Sequence, residues 1–137
     1  MKGEGYMKET ISISLPAKSE YVSIARLTAS VLANKIGFDI EEIEDIKVAV
    51  GEACNNAVLH GIDSEIFTLN FHVKDKMLEI EVVDCGSGFE LEQYIMPDLE
   101  NPKENGLGLF IIKSLMDEVI VDTAKGCGTK IKMIKNI

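Results

Sequence analysis

Residues 66–83 read IFTLNFHVKDKMLEIEVV, and the fold turns on them. Ile66 to Val73 and Met77 to Val83 read as two strands, and the polar Lys74-Asp75-Lys76 between them is the turn of a hairpin. Val119 to Thr123 and Thr129 to Ile134 form a second pair, turned at Lys125-Gly126-Cys127-Gly128. Upstream, Thr10 to Leu15 sets Ile11, Ile13 and Leu15 against Thr10, Ser12 and Ser14, the period-2 pattern of a strand with one wet face, and Pro16 ends it. Ser19 is placed to cap a helix from Glu20 to about Lys35, with Tyr21, Ile24, Leu27, Thr28, Val31 and Leu32 on one stripe, and Gly37 stops it. The next helix has a strong start: Asp39 caps, Glu42 follows three residues on, and Phe38 is positioned to staple on Ile43. It runs to about His60 with Ile43, Ile46, Val50, Ala53, Cys54, Ala57 and Val58 inward, and Gly61 closes it. A last helix is expected from Leu107 to about Asp117. Strands that come in antiparallel pairs, with helices to cover one face, give a two-layer α/β sandwich on a mixed, mostly antiparallel sheet, and not a doubly wound Rossmann sheet.

A chain of 137 residues supports one core, so residues 1–137 read as one domain with a short polar tail over residues 1–8. At 46% hydrophobic it is too apolar for a disordered chain. No apolar run approaches the ~20 residues that span a bilayer, so a soluble, cytoplasmic protein is expected. A net charge of −9 argues against direct nucleic-acid binding or an anionic membrane, both of which need a basic face. It leaves a nucleotide open, because backbone donors hold phosphate on an acidic protein. Cys54, Cys85 and Cys127 include no CxxC pair, against a disulfide framework or a zinc site. The irregular segment Cys85 to Asn105, with Gly86, Gly88, Pro97 and Pro102, is long enough to read as a lid or binding loop.

Four segments bear chemistry. In Gly51-Glu52-Ala53-Cys54-Asn55-Asn56-Ala57 the helix puts Glu52 and Asn56 on one face, and Asn55 at its edge. Adjacent asparagines are unfavourable inside a helix, and such a broken rule is expected at a functional site. A carboxylate and an amide oxygen one turn apart suit Mg²⁺. In Asp84-Cys85-Gly86-Ser87-Gly88 an Asp closes an apolar strand before two glycines, placed to accept from a ligand amine while the glycines let backbone approach a ring. Asn105-Gly106-Leu107-Gly108 opens a helix whose free N–H groups cradle phosphate, although no Walker Gly-Lys-Ser/Thr follows. Gly128-Thr129 begins the last strand.

In this order, E-x-x-N-N-A, D-x-G-x-G, G-x-G and a late G-T resemble the N, G1 and G2 boxes and closing Thr of the Bergerat (GHKL) ATP-binding fold. With Glu20-Tyr21-Val22, Arg26-Leu27-Thr28, Glu42 to Lys47 and Leu115 to Val119, the chain resembles the anti-sigma factor serine kinases of Gram-positive stress and sporulation switches from about Lys8 to Met133. At this length, that small-kinase group is the one expected to match the whole chain.

The resemblance implies ATP and Mg²⁺ as cofactors. Asn56 would be the Mg²⁺ ligand and Glu52 the general base toward a substrate serine. Asp84 would accept from the adenine amine, supported by Thr129. Gly86 and Gly88 would line the adenine and a lid over about residues 86–105. Gly106, Leu107 and Gly108 would hold phosphate, Asn55 and His60 would support the site from behind, and Arg26 would contact protein partners. Some relatives carry an arginine before the G2 glycines. Here Pro102-Lys103-Glu104-Asn105 stands there, with Lys103 the candidate substitute. The implied partners are a sigma factor and a STAS-type anti-sigma factor antagonist, with the kinase a homodimer. An ATP-dependent binding module with little kinase activity, or a stressosome-type switch module that binds a phosphatase, is the alternative.

Overall fold

Strand β1 (Glu9–Pro16) lies at one edge of a sheet whose remaining strands are β2 (Ile66–Lys74), β3 (Met77–Asp84), β4 (Glu118–Thr123) and β5 (Thr129–Asn136). Among the described residues the helices are α1 (Val22–Ile36), α2 (Ile40–His60) and α3 (Leu107–Leu115), with a 3₁₀ turn at Ser19–Tyr21 leading into α1. This computed structural model describes residues 9–60, 65–85, 107–123 and 128–137. The expected tail over residues 1–8 and lid over 86–105, together with Gly61, Gly86, Gly88, Lys103, Gly106 and the side chain of His60, lie outside the described residues.

The strand order is β1-β2-β3-β5-β4. Every pairing is antiparallel, where a mixed sheet was expected. The register explains the two faces. Phe67, Leu69, Phe71 and Val73 of β2 and Leu78, Ile80 and Val82 of β3 are all buried toward the helices. The alternating residues Thr68, Asn70, His72, Glu79 and Glu81 line the opposite face, which none of the described helices covers. Each fully buried aliphatic or aromatic side chain stabilises the fold by roughly 1.5–3 kcal/mol, so the helix side of the sheet carries the core. The β2–β3 register pairs Lys74 with Met77, which leaves Asp75-Lys76 as a two-residue turn with Lys76 at a φ of +62°.

Helix α2 begins as the sequence indicates. Asp39 Oδ1 accepts from the Glu42 amide at 2.8 Å, and the Asp39 amide donates to Glu42 Oε1 at 3.0 Å, a reciprocal capping box. Helix α1 ends on Gly37 at a φ of +112°, whose amide donates to the Ala33 carbonyl at 3.1 Å.

The start and the inward face of α1 differ from expectation. Ser19 caps nothing: it opens the 3₁₀ turn, and α1 starts after Tyr21 with no side-chain cap. Of the expected stripe only Leu32 is buried. Ile24 is 43% exposed, Leu27 61% and Val31 66%. The face that packs on α2 and the sheet is Val22, Ala25, Ala29, Leu32 and Ala33. Alanines let the helix axes come close, and the bulky residues are left on the outside. Asp117 falls beyond the end of α3, where its amide donates to the Ile134 carbonyl at 2.9 Å.

Candidate functional site

Glu52 and Asn56 stand one turn apart on α2, and both face α3 across a cleft of about 430 Å³. Asn55, Val58 and Leu59 line the cleft from α2, and Leu107, Gly108 and Ile111 from α3. At Gly108 the backbone of α3 comes close to side chains of α2. A β-carbon there would sit 2.9 Å from Glu52 Oε1 and 3.7 Å from Asn56 Oδ1. Glycine at this position therefore leaves room for a carboxylate and an amide beside the N-terminus of α3. The cleft thus gathers Glu52, Asn55, Asn56, Leu107 and Gly108, five of the residues that the sequence singled out.

The Asn56 side chain carries the clearest sign of a missing partner. Its Nδ2 is buried without a hydrogen-bond acceptor among the described residues. An orphaned buried amide costs about 1–3 kcal/mol, so it is expected where a ligand completes the network. The Mg²⁺ and phosphates implied by the family suit the donors present, a carboxylate and an amide oxygen beside a helix N-terminus.

Asp84 and Thr129 form a second pair. They oppose each other in the β3–β5 register, and among the described residues they are the buried polar side chains. They line a smaller cleft of about 270 Å³ with Cys85, Thr123 and Gly128 at the end of the sheet. Thr123 Oγ1 lies 3.2 Å from the Gly128 carbonyl oxygen, to which it can donate, and 2.8 Å from Thr129 Oγ1, where either hydroxyl can donate. Gly128 sits at a φ of +78°, and a β-carbon on it would fall 2.5 Å from the Asp84 carbonyl oxygen. That close approach of backbone to backbone admits only glycine.

Arg26 lies apart from both clefts. Its Cδ is 3.2 Å from where a Gly51 β-carbon would be, so the side chain runs across α2 from α1. With Ser23, Leu27, Glu44, Lys47 and Val48 it lines a shallow groove between the two helices. Beneath it, burial pushes the Cys54 thiol up to about 12 despite the opposing pull of Arg26, so Cys54 is an inert apolar filler. Cys85, by contrast, is exposed.

Among the described residues, Glu52, Asn55 and Asn56 lie on the expected helix, Asp84 and Thr129 at the expected strand ends and Gly108 in the first turn of the expected last helix. Sequence reasoning had no signal for the groove beside Arg26, because the outward face of α1 was read as core.

A sandwich with one helix-covered face, a carboxylate–amide pair on α2 and glycines at the start of α3 defines an ATP-binding domain of the histidine kinase-like class. The family described as the histidine kinase-like ATPase domain matches residues 15–135. A serine-protein kinase RsbW from Halalkalibacterium halodurans is 42% identical over 123 residues, covering 83% of this chain and 76% of that protein. One from Listeria innocua is 45% identical over 125 residues, covering 82% and 79%. The RsbU and RsbW domains of a Mycobacterium tuberculosis protein superpose with a TM-score of 0.70 over 93% of this chain and 32% of theirs, at 20% identity, which shows the shared fold. The chain thus belongs to the RsbW family of serine-protein kinases within the histidine kinase-like ATPases. No helix among the described residues is long and apolar enough to cross a membrane.

Proposed function

We propose that the protein is a cytoplasmic anti-sigma factor that uses Mg-ATP to phosphorylate a serine on a STAS-type antagonist, and that residues 1–137 act as one catalytic domain. The observation that carries this reading is the meeting of Glu52, Asn56 and Gly108 at one cleft, with the Asn56 amide buried and unpaired. When bound, ATP supplies the phosphoryl group, and Mg²⁺ neutralises charge on its phosphates.

The residues of this chain do the rest. Glu52 accepts the proton of the substrate serine as its oxygen bonds to the γ-phosphorus and the bond to the β-phosphate oxygen breaks. A positioned base contributes about 10²–10⁴-fold. Asn56 offers its amide oxygen to the cation, and Asn55 supports it from the cleft edge. The α3 N-terminus at Leu107 and Gly108, continued by Gly106, binds phosphate through backbone N–H groups, and Lys103 adds a positive charge. Asp84 accepts from the adenine amine, with Thr129 holding the same end of the pocket and Gly86 and Gly88 flanking it. His60 supports the site at the end of α2. Arg26, running over Gly51 on the outward side of α1, contacts the sigma factor and the antagonist. The exposed Ile24, Leu27 and Val31 give that face an apolar surface fit for protein partners, a second copy in a homodimer included.

The test is incubation with Mg-ATP and a STAS-type protein, followed by mass spectrometry of the STAS protein. A phosphoserine adduct that disappears in Glu52→Ala, with ATP binding retained, is the expected result. ATP binding without any adduct would sink the kinase reading and leave an ATP-dependent binding module. Recovery of a phosphatase and no sigma factor in a pull-down would instead mark a stressosome-type switch.

A further inference from the structure

The face of the sheet that none of the described helices covers holds a cluster that the proposed nucleotide site does not use. His72 on β2 stands opposite Glu79 on β3, and Glu81 lies two residues further along the same face. One donor atom from each of the three falls within 4.8 Å of the others. His72 Nε2 is 3.4 Å from Glu81 Oε1 and 4.0 Å from Glu79 Oε2. Tetrahedral Zn²⁺ with bonds of 2.0–2.1 Å needs donor atoms about 3.3 Å apart, so closing the set from separations within 4.8 Å takes changes of at most about 1.5 Å.

Two of the three are held from behind, His72 and Glu79, while Glu81 Oε1 also accepts from Asn70 Nδ2 at 3.5 Å. Thr10 Oγ1 lies 3.1 Å from His72 Nδ1, which fixes the ring and turns Nε2 toward the carboxylates. Lys74 Nζ donates to Glu79 Oε1 at 3.2 Å, holding the oxygen that faces away and leaving Oε2 toward His72. Lys132 Nζ is further off, 3.9 Å from Oε2. Such outer bonds orient metal ligands in known sites. The carboxylates are only 14% and 15% exposed, although no helix covers them, and His72 is 28% exposed. All three ride on paired strands, so little backbone order is lost on binding.

We propose that His72, Glu79 and Glu81 form a site for one divalent transition cation of the Zn²⁺ class, clamping β2 to β3 on the open face of the sheet. An imidazole with two carboxylates favours such an ion over Mg²⁺, which prefers an octahedral shell of oxygens. The site lies on the opposite side of the sheet from the nucleotide cleft, and its fate is independent of kinase activity.

The test uses the whole chain, stripped of metal and held in excess Mg²⁺, with Zn²⁺ titrated by calorimetry. One Zn²⁺ per chain is expected at this site. His72→Gln and Glu81→Gln should each weaken it by at least about tenfold while leaving Mg-ATP binding intact, which shows that both variants fold. Zn²⁺ should raise the melting temperature of the parent protein and not that of His72→Gln. Absence of Zn²⁺ binding, or an affinity unchanged in both variants, overturns the proposal. So does a Co²⁺ spectrum dominated by thiolate charge transfer and insensitive to His72→Gln.

Discussion

Gly108→Ala separates stability from catalysis in one substitution. Gly108 is the second residue of α3, and replacing glycine by alanine in a helix gains about 0.5–1 kcal/mol, less near an end. The cost falls on one atom. The new β-carbon would stand 2.9 Å from Glu52 Oε1, where ordinary contact begins near 3.4 Å. Glu52 Oε1 is the far end of a flexible side chain, so the carboxylate retreats by about half an ångström and the backbone stays. A 1 Å misplacement at a reacting centre costs about 10²-fold, so half of that predicts a loss of roughly tenfold in the rate of phosphoryl transfer. Thermal melting should rise by about 2 °C for a gain near 0.5 kcal/mol. The assays are circular dichroism melts and single-turnover transfer to the STAS-type substrate, with ATP affinity measured beside them. A melting point several degrees lower would show that the backbone is displaced. A rate equal to that of the parent protein, or a loss confined to ATP affinity, would refute Glu52 as the group disturbed.

Other outcomes follow from the same geometry. Asn56→Leu removes an orphaned buried amide, so its melting temperature should hold or rise, by the equivalent of about 1 kcal/mol, while calorimetry shows Mg-ATP binding lost; a marked fall in melting temperature would mean that the amide is satisfied. Native protein treated with iodoacetamide near pH 8 should label Cys85 and spare Cys54, as read by peptide mass spectrometry. Because the Cys54 thiol ionises only near pH 12 when folded, against 9.0 as its ordinary value, the unfolded chain loses its proton first. Stability in denaturant melts should therefore fall as pH rises from about 9 toward 12. Asp39→Ala breaks the capping box and should cost about 1 kcal/mol in the same melts, with the transfer rate unchanged.

Much of the fold was written in local signals. Asp39 and Glu42 mark the start of α2 because capping is settled within one turn, and Asp75-Lys76 marks a hairpin because so short a link admits little else. The nucleotide-type residues were legible for a related reason: Glu52 and Asn56 share a helix face by spacing alone. That Gly108 comes against Glu52, however, depends on how α3 packs on α2, which no local pattern states. The misreading of α1 has the same root. Hydrophobicity ranked Ile24, Leu27 and Val31 above Ala25, Ala29 and Ala33, but close helix packing selects small side chains, so both faces of α1 are apolar and the periodicity is ambiguous. The cluster of His72 with Glu79 and Glu81 was invisible because it exists only once β2 and β3 are in register.

The placement of Gly51 beside Glu52 has a mechanical consequence. Gly51 is roofed by Arg26 from α1, and the next residue lines the cleft between α2 and α3 with its carboxylate. A single peptide bond of α2 therefore divides the groove beside Arg26 from the cleft that faces α3. Glu52 and Asn56 stand one turn apart along a rise of about 6 Å, a spacing set by the helix itself. Any displacement of α2 as a unit would carry both side chains together relative to α3, with their spacing unchanged.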